Sequence, residues 1–255
     1  MGYRITHNGK KILHILLFLH LYTGCVWGIT QIFATTLSSQ SINIYLKLAP
    51  NNDILKLIKK FNNYLSEKTI FSQYHLTPFL DNHPLHLTLY LTNFTPEHLP
   101  QISRCVQRIA NHTKPLVIKS NKIEASSSMY IMLLIHNTKS LQALSNKVVT
   151  QLMAFRDKKT CIPPWVKNNK RKVQAFLRFG SPNVFANFSP HFSIFAANYL
   201  TPRNSEKLQE ILISFINEFN KIQTIVDAKA IAIGIGLADA QGQILHELYE
   251  FPLNG

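Results

Sequence analysis

The sequence predicts an α+β fold in which one unit, a histidine-bearing strand followed by a helix and a β-hairpin, occurs twice about a pseudo-two-fold axis. Three observations predict it. The strand-like run Leu85-His86-Leu87-Thr88-Leu89-Tyr90 is echoed by Pro190-His191-Phe192-Ser193-Ile194-Phe195. A Thr-Pro pair follows each run, Thr95-Pro96 and then Thr201-Pro202, with its proline 10 residues beyond the histidine in the first copy and 11 in the second. Threonine caps a helix and proline fits its first turn. Each copy then closes with a helical stripe and two strand-like stretches. Antiparallel hairpins with helices packed outside are the α+β pattern. The matching order places the two histidine strands near the internal axis, at the floor of a shared groove.

Taken in order, residues 41–48 read as a strand. Residues 53–65 carry Ile54, Leu57, Ile58, Phe61 and Leu65 at helical spacing. A loop leads to the first histidine strand at 84–91. Leu99, Ile102, Val106 and Ile109 mark one face of the next helix, and 114–135 reads as two strands joined around 125–128. The second copy begins with a helix bearing Leu141, Leu144, Val148, Leu152 and Phe155, followed by a long loop over 156–189. After the second histidine strand comes a helix with Leu208, Ile211, Leu212, Phe215, Ile216 and Phe219 on its face. The hairpin 229–238 and 243–251 then turns at Ala240-Gln241-Gly242. The expected organisation is a distinct segment 1–40 and a domain 41–255, with two lobes over 50–136 and 140–255.

The first forty residues differ from the rest. Arg4, Lys10 and Lys11 precede the apolar run 12–21, and no further charge appears before Lys47. A basic head and a short apolar stretch are the signature of an export signal. Tyr22-Thr23-Gly24-Cys25 resembles a lipoprotein box, with tyrosine where an aliphatic residue is usual. Val26-Trp27-Gly28 and Ala34-Thr35-Thr36 are the alternative cleavage sites. The competing reading is an uncleaved anchor helix over 12–34, about 20 residues and so long enough to span a bilayer. Either way the expectation is an exported protein, periplasmic or secreted, with membrane attachment through 12–34 or Cys25 as the variant. Of the other cysteines, Cys105 sits on an apolar helical face and Cys161 in a proline-rich loop. An oxidising compartment permits their pairing, which spacing alone does not decide. No Cys-x-x-Cys pair occurs, which argues against a thiolate zinc site.

Charge narrows the partners. Lys and Arg number 27 against 13 Asp and Glu, a net +14. Loss of the three basic residues of the leader still leaves +11. Such a field favours anionic partners, whether nucleic acid, nucleotide or an anionic membrane face. The densest stretch contains Lys170, Arg171 and Lys172; it is a solvated loop on the plain reading and a phosphate-backbone contact on the sharper one.

The echoed strands carry the chemistry. Side chains alternate across a strand, so His86 and Thr88 share one face, as do His191 and Ser193. An imidazole titrates near 6.5, so one can be neutral while its partner is charged. The neutral ring takes a proton from an attacking water or hydroxyl, and the charged ring gives one to a leaving oxygen. Thr88 and Ser193 would donate hydrogen bonds to the non-bridging oxygens of a phosphate. No metal or other cofactor is required by this scheme, and the chain has few carboxylates to hold magnesium. Strict alternation also places Tyr90 and Phe195 on the histidine face, as packing residues or as platforms for a base.

At these residues the chain resembles the 2H phosphoesterase superfamily, defined by paired His-x-Thr/Ser motifs, and more narrowly its bacterial 2′-5′ RNA ligase-like branch. The resemblance covers residues 42–253, and the approach 178–191 is similar to that of the branch. It implies a bilobal fold of two antiparallel sheets with outer helices around a central groove. It also implies cleavage of phosphodiesters, commonly 2′,3′-cyclic phosphates on RNA ends or cyclic nucleotides, with His86 and His191 as catalytic residues and Thr88 and Ser193 on the phosphate. The spacing of 105 residues between the histidines is long for the family, mostly through 156–189, so this loop is expected to shape the substrate mouth. Two other uses of the same residues stay open: a non-catalytic module binding a nucleotide or other anionic ligand, and a 2′-5′ RNA ligase. The protein is expected to be a monomer.

Overall fold

The computed structural model describes residues 38–126, 128–197, 202–222 and 224–255. The leader expected over 1–40, with Cys25 and the alternative anchor 12–34, lies almost wholly outside them, as does Thr201, one of the two expected caps; the other, Thr95, makes no capping bond, because its hydroxyl is engaged with His98 Nδ1 at 2.7 Å. Among the described residues no helix is long and apolar enough to cross a membrane.

Seven strands and six helices make up the described chain: β1 (Gln40–Leu48), α1 (Asp53–Glu67), α2 (Ile70–Tyr74), β2 (Leu87–Phe94), α3 (Leu99–Asn111), β3 (Leu116–Ala125), β4 (Tyr130–Ile135), α4 (Lys139–Leu152), α5 (Lys170–Phe179), β5 (His191–Ala196), α6 (Pro202–Asn220), β6 (Asp227–Ala238) and β7 (Ile244–Pro252). The loop expected over 156–189 contains a helix, α5. Asn169 caps it, its side chain accepting from the Lys172 N–H at 3.1 Å, and Ala175 and Phe176 are buried on its inner face. Three basic residues in the first turn oppose the helix dipole, which is why this stretch reads as a loop in sequence.

All strand pairs are antiparallel, along the path β2-β1-β6-β3-β4-β5, with β7 also on β6. Strand β3 joins two halves. Its first residues, Leu116 to Lys119, pair with β6, and Ser120 to Ala125 pair with β4. The expected pair of antiparallel sheets thus exists as two halves of one sheet. The sequence repeats interleave in it: the late hairpin β6–β7 completes the half that holds β1 and β2, and the early hairpin β3–β4 completes the half that holds β5. The helices obey the same exchange. Phe61 of α1 meets Phe219 of α6 at 4.9 Å, while α3 packs with α4.

Strand β1 alternates strictly. Ile42, Ile44 and Leu46 enter the core, and Asn43, Tyr45 and Lys47 take the opposite face. The Tyr45 ring lies flat across β6 because its cross-strand partner is Gly234. A Cβ at Gly234 would lie 2.3 Å from the ring. Gly234→Ala is therefore expected to destabilise the fold by about 1–3 kcal/mol through overpacking, read as a lower midpoint in denaturant unfolding with an unchanged slope. An unaltered midpoint would show that the ring moves aside freely.

Candidate active site

Strands β2 and β5 are the two ends of the sheet path, and they come into contact. This brings the two histidine motifs together. His86 lies just before β2 and is 7% exposed; His191 opens β5 and is half-buried. Each ring is held in the same way. His86 Nδ1 is 3.0 Å from the Pro84 carbonyl, and His191 Nδ1 is 2.8 Å from the Ser189 carbonyl. A carbonyl only accepts, so Nδ1 carries the proton in the neutral ring. Nε2 is then the atom left to exchange a proton with a ligand, and at His86 the Gly242 carbonyl also meets the ring.

Both strands bulge at the same place. Ile44 pairs with Tyr90 but Tyr45 pairs with Thr88, leaving Leu89 as an extra residue. Ile131 pairs with Phe195 but Met132 pairs with Ser193, leaving Ile194 extra. A bulge reverses the facing of all later residues. Tyr90 and Phe195 therefore leave the histidine face and are fully buried. Tyr90 packs on Phe94 and donates its hydroxyl to the Phe179 carbonyl, and Phe195 packs edge-on against Phe71 at 5.2 Å. This corrects the alternative role of these two as base platforms. The carbonyl of the bulged Leu89 accepts from the buried Ser145 hydroxyl of α4 at 2.9 Å.

Several residues at the site were missed in sequence. Asn43, fully buried, donates its amide to Thr88 Oγ1 at 2.9 Å and to the Gly242 carbonyl at 3.1 Å. The Thr88 oxygen thus accepts from behind, and its O–H is left to donate. The Asn43 carbonyl oxygen is buried without a hydrogen-bond partner. Gly242 sits in the β6–β7 turn with φ +83, a conformation that favours glycine. Its carbonyl also faces the His86 ring. Tyr45 lies edge-on to His86, ring centroids 5.7 Å apart, and donates to Glu247 at 2.7 Å. Glu247 pairs with Lys47 at 3.0 Å, and Lys47 pairs with Glu250. The alternation Asn43, Tyr45, Lys47 was the available signal for this polar wall. Thr77, Phe79, Asn82, His83, Ala196 and Gln241 line a pocket beyond the end of β5.

Of the basic run, Lys172 is the residue that reaches the site. Lys170 and Arg171 are exposed in the first turn of α5, and Lys172 is half-buried. Asn187 bonds to the Arg171 carbonyl and so ties this turn to the segment entering β5. Lys172 acts electrostatically on His191. Ser193 and Thr88 are both half-buried on their strands. Cys105 and Cys161 are free thiols, so the alternative of a pair between them is not realised. Among the described residues no group of three or more His, Cys, Asp or Glu is placed to hold a metal ion.

Electrostatics separates the two sides. Burial pushes His86 below its ordinary value of 6.5; the Pro84 and Gly242 carbonyls work against this, and His191 and His83 add to it. Burial also lowers His191, opposed by the Ser189 carbonyl and reinforced by Lys172. Burial drives the Tyr45 phenol far up, and its bond to Glu247 adds to the effect, so it stays a neutral donor. Burial works to raise Glu247, but the Tyr45 hydroxyl, Lys47 and then His86 outweigh it and hold the carboxyl low.

A family profile described as the 2'-5' RNA ligase superfamily matches residues 58–228, which include both histidine motifs. The chain belongs to the 2'-5' RNA ligase superfamily of 2H phosphoesterases. Among solved structures, TT0787 of Thermus thermophilus matches with a TM-score of 0.51 at 13% identity, covering 84% of this chain and 98% of that one. E. coli LigT complexed with 3'-AMP matches with a TM-score of 0.50 at 13% identity, covering 86% and 100%. Kluyveromyces marxianus Usb1 matches with a TM-score of 0.46 at 11% identity, covering 85% and 98%. Both matches at or above 0.5 show the same α+β fold. Among curated proteins none matches the chain.

The imidazoles yield a direct prediction. Both should titrate below 6.5 when followed by their ring-proton NMR shifts, and His191→Ala should raise the value for His86 by removing a like charge. The linkage has a definite sign. A histidine depressed in the folded state resists protons that the unfolded chain accepts. Its stabilising effect is complete above 6.5 and fades as pH falls from there to the native values. Values at or above 6.5 for both rings would contradict the burial described.

Proposed function

We propose that this protein is a phosphodiesterase that opens 2′,3′-cyclic phosphates, at RNA ends or on nucleotides, by metal-independent acid–base catalysis with two histidines. One observation supports this above the others: two imidazoles, each locked through Nδ1 to a carbonyl two residues upstream, stand on identically bulged strands that meet. The scheme is balanced. Neutral His191 takes a proton from water at Nε2 as the oxygen attacks phosphorus. One bridging P–O bond breaks, and protonated His86 gives its proton to the departing ribose oxygen. The assignment follows the surroundings: Glu247 faces His86, and Lys172 faces His191. Thr88 and Ser193 donate to the non-bridging oxygens. Lys170, Arg171 and Lys172 attract the anionic substrate as it approaches. We further propose a monomer that acts after export, on RNA fragments or nucleotides outside the cytoplasm.

The test uses 2′,3′-cyclic mononucleotides and a short RNA with a cyclic-phosphate end, with a chelator present. His86→Ala and His191→Ala should each lose about 10²- to 10⁴-fold in turnover while staying folded. A nitrophenyl phosphodiester, whose leaving group needs no proton, should rescue much of the loss in His86→Ala and little of that in His191→Ala. Full activity in either variant, or equal rescue of both, overturns the assignment. Binding that needs the histidines but gives no product would mark a binding module. Joining of cyclic-phosphate and 5′-hydroxyl ends would mark the ligase direction of the same chemistry.

Asn43 gives an independent check. Asn43→Ala frees the Thr88 hydroxyl to rotate, and kcat should fall about tenfold, equivalent to about 1.4 kcal/mol. Thr88→Val in the Asn43→Ala background should then cost less than Thr88→Val alone. Additive losses would show that Asn43 does not act through Thr88.

A further inference from the structure

The histidine strands present no exposed aromatic ring to the groove, since Tyr90 and Phe195 are buried. An aromatic ring is nevertheless displayed nearby. Trp165 is 58% exposed in the segment that precedes α5. Its presentation is rigid. Pro163 and Pro164 fix the chain before it, and Val166, fully buried, anchors the chain after it. The Val166 N–H bonds to the Pro163 carbonyl at 3.0 Å, and the Asn169 N–H to the Val166 carbonyl at 2.9 Å. Lys172 reaches back so that its Nζ lies 5.2 Å from the centre of the tryptophan ring. Lys172 is also the cation that acts on His191.

Lys172 thus stands over the indole and also acts on the His191 imidazole, and Asn187 ties the α5 turn to the segment that enters the strand carrying His191. The segment that carries Trp165 and Lys172 is cationic in sequence. Between Asp157 and Glu206 the chain has eight lysines and arginines and no acidic residue. Basic side chains in the first turn of a helix are unfavourable against its dipole; a bound phosphate beside them relieves this. A flat apolar ring next to a phosphate-seeking cation is the pairing that a nucleotide requires, since every base offers a π-face and every phosphate a charge.

We propose that Trp165 is the stacking platform for the nucleobase adjoining the phosphate held by His86 and His191, with Lys172 bridging platform and phosphate. The proposal rests on the phosphodiesterase reading above and adds to it the site that recognises the base. Stacking carries little preference among bases, so the platform selects nucleotides as a class.

Two measurements test it and separate its failure from that of the catalytic reading. In turnover, Trp165→Ala should raise KM for a 2′,3′-cyclic mononucleotide about tenfold to a hundredfold, with kcat little changed and Trp165→Phe largely restoring it. Ribose 2′,3′-cyclic phosphate, which has no base, should be handled equally by parent and variant. In binding, the full chain carrying Trp27→Phe retains Trp165 as its one tryptophan. Its fluorescence should be quenched by 3'-AMP and left unchanged by inorganic phosphate. Normal turnover with an unchanged KM in Trp165→Ala and no quenching by 3'-AMP overturns the platform and leaves the catalytic reading standing. Quenching by 3'-AMP without turnover of any cyclic phosphate supports the platform and removes the catalytic reading.

Discussion

Each histidine strand carries one more residue than the strand beside it, and the site depends on where that residue falls. Without a bulge, a strand that shows histidine and hydroxyl to a groove would show every second residue there. With Leu89 and Ile194 inserted, each strand shows His-x-hydroxyl and then turns two successive large side chains inward before its alternation resumes. Leu87, Leu89, Tyr90, Phe192, Ile194 and Phe195 are all essentially without exposure. Burial of such side chains is worth about 1.5–3 kcal/mol each, and here it fixes the short polar face from behind. The bulge leaves a carbonyl out of the ladder, which must find a donor when buried. Ser145 is that donor for Leu89. The polar motif is thus held by apolar packing and by one hydroxyl of a helix that never touches the groove.

The electrostatic design follows from the same packing. Enclosing an imidazole favours its neutral form, and two enclosed imidazoles in mutual reach suppress each other's charge further. Burial thus works against the charged form of both rings, and a nearby anion works for it. The strongly positive surface raises the local concentration of such anions.

Much of this was legible in the residues. The two His-x-hydroxyl runs and the hairpins around them gave the α+β class, and the period of a strand set each histidine and hydroxyl on a common face. The facing of Tyr90 and Phe195 was not legible, because a bulge is a relation between two strands and leaves no mark on one of them. The wall of Asn43 and Tyr45 was half-legible: the alternation of polar and apolar residues in β1 marks a second face but not what that face meets. Glu247 and Gly242 come from a hairpin some two hundred residues away, and only the pairing of β1 with β6 delivers them. Helix α5 was obscured by its own charge, since basic residues stand where a helix start usually carries acidic ones.

The interleaving of the two repeats in the sheet bears on how the molecule is made. Strand β1 stands between β2 and a strand that begins at Asp227, so the first histidine has no finished support until nearly the whole chain exists. Pairings over such distances along the chain are slow to form. A growing polypeptide therefore spends its synthesis with an open strand edge at β1 and no assembled groove. The architecture therefore ties assembly of the groove to the arrival of the last two strands.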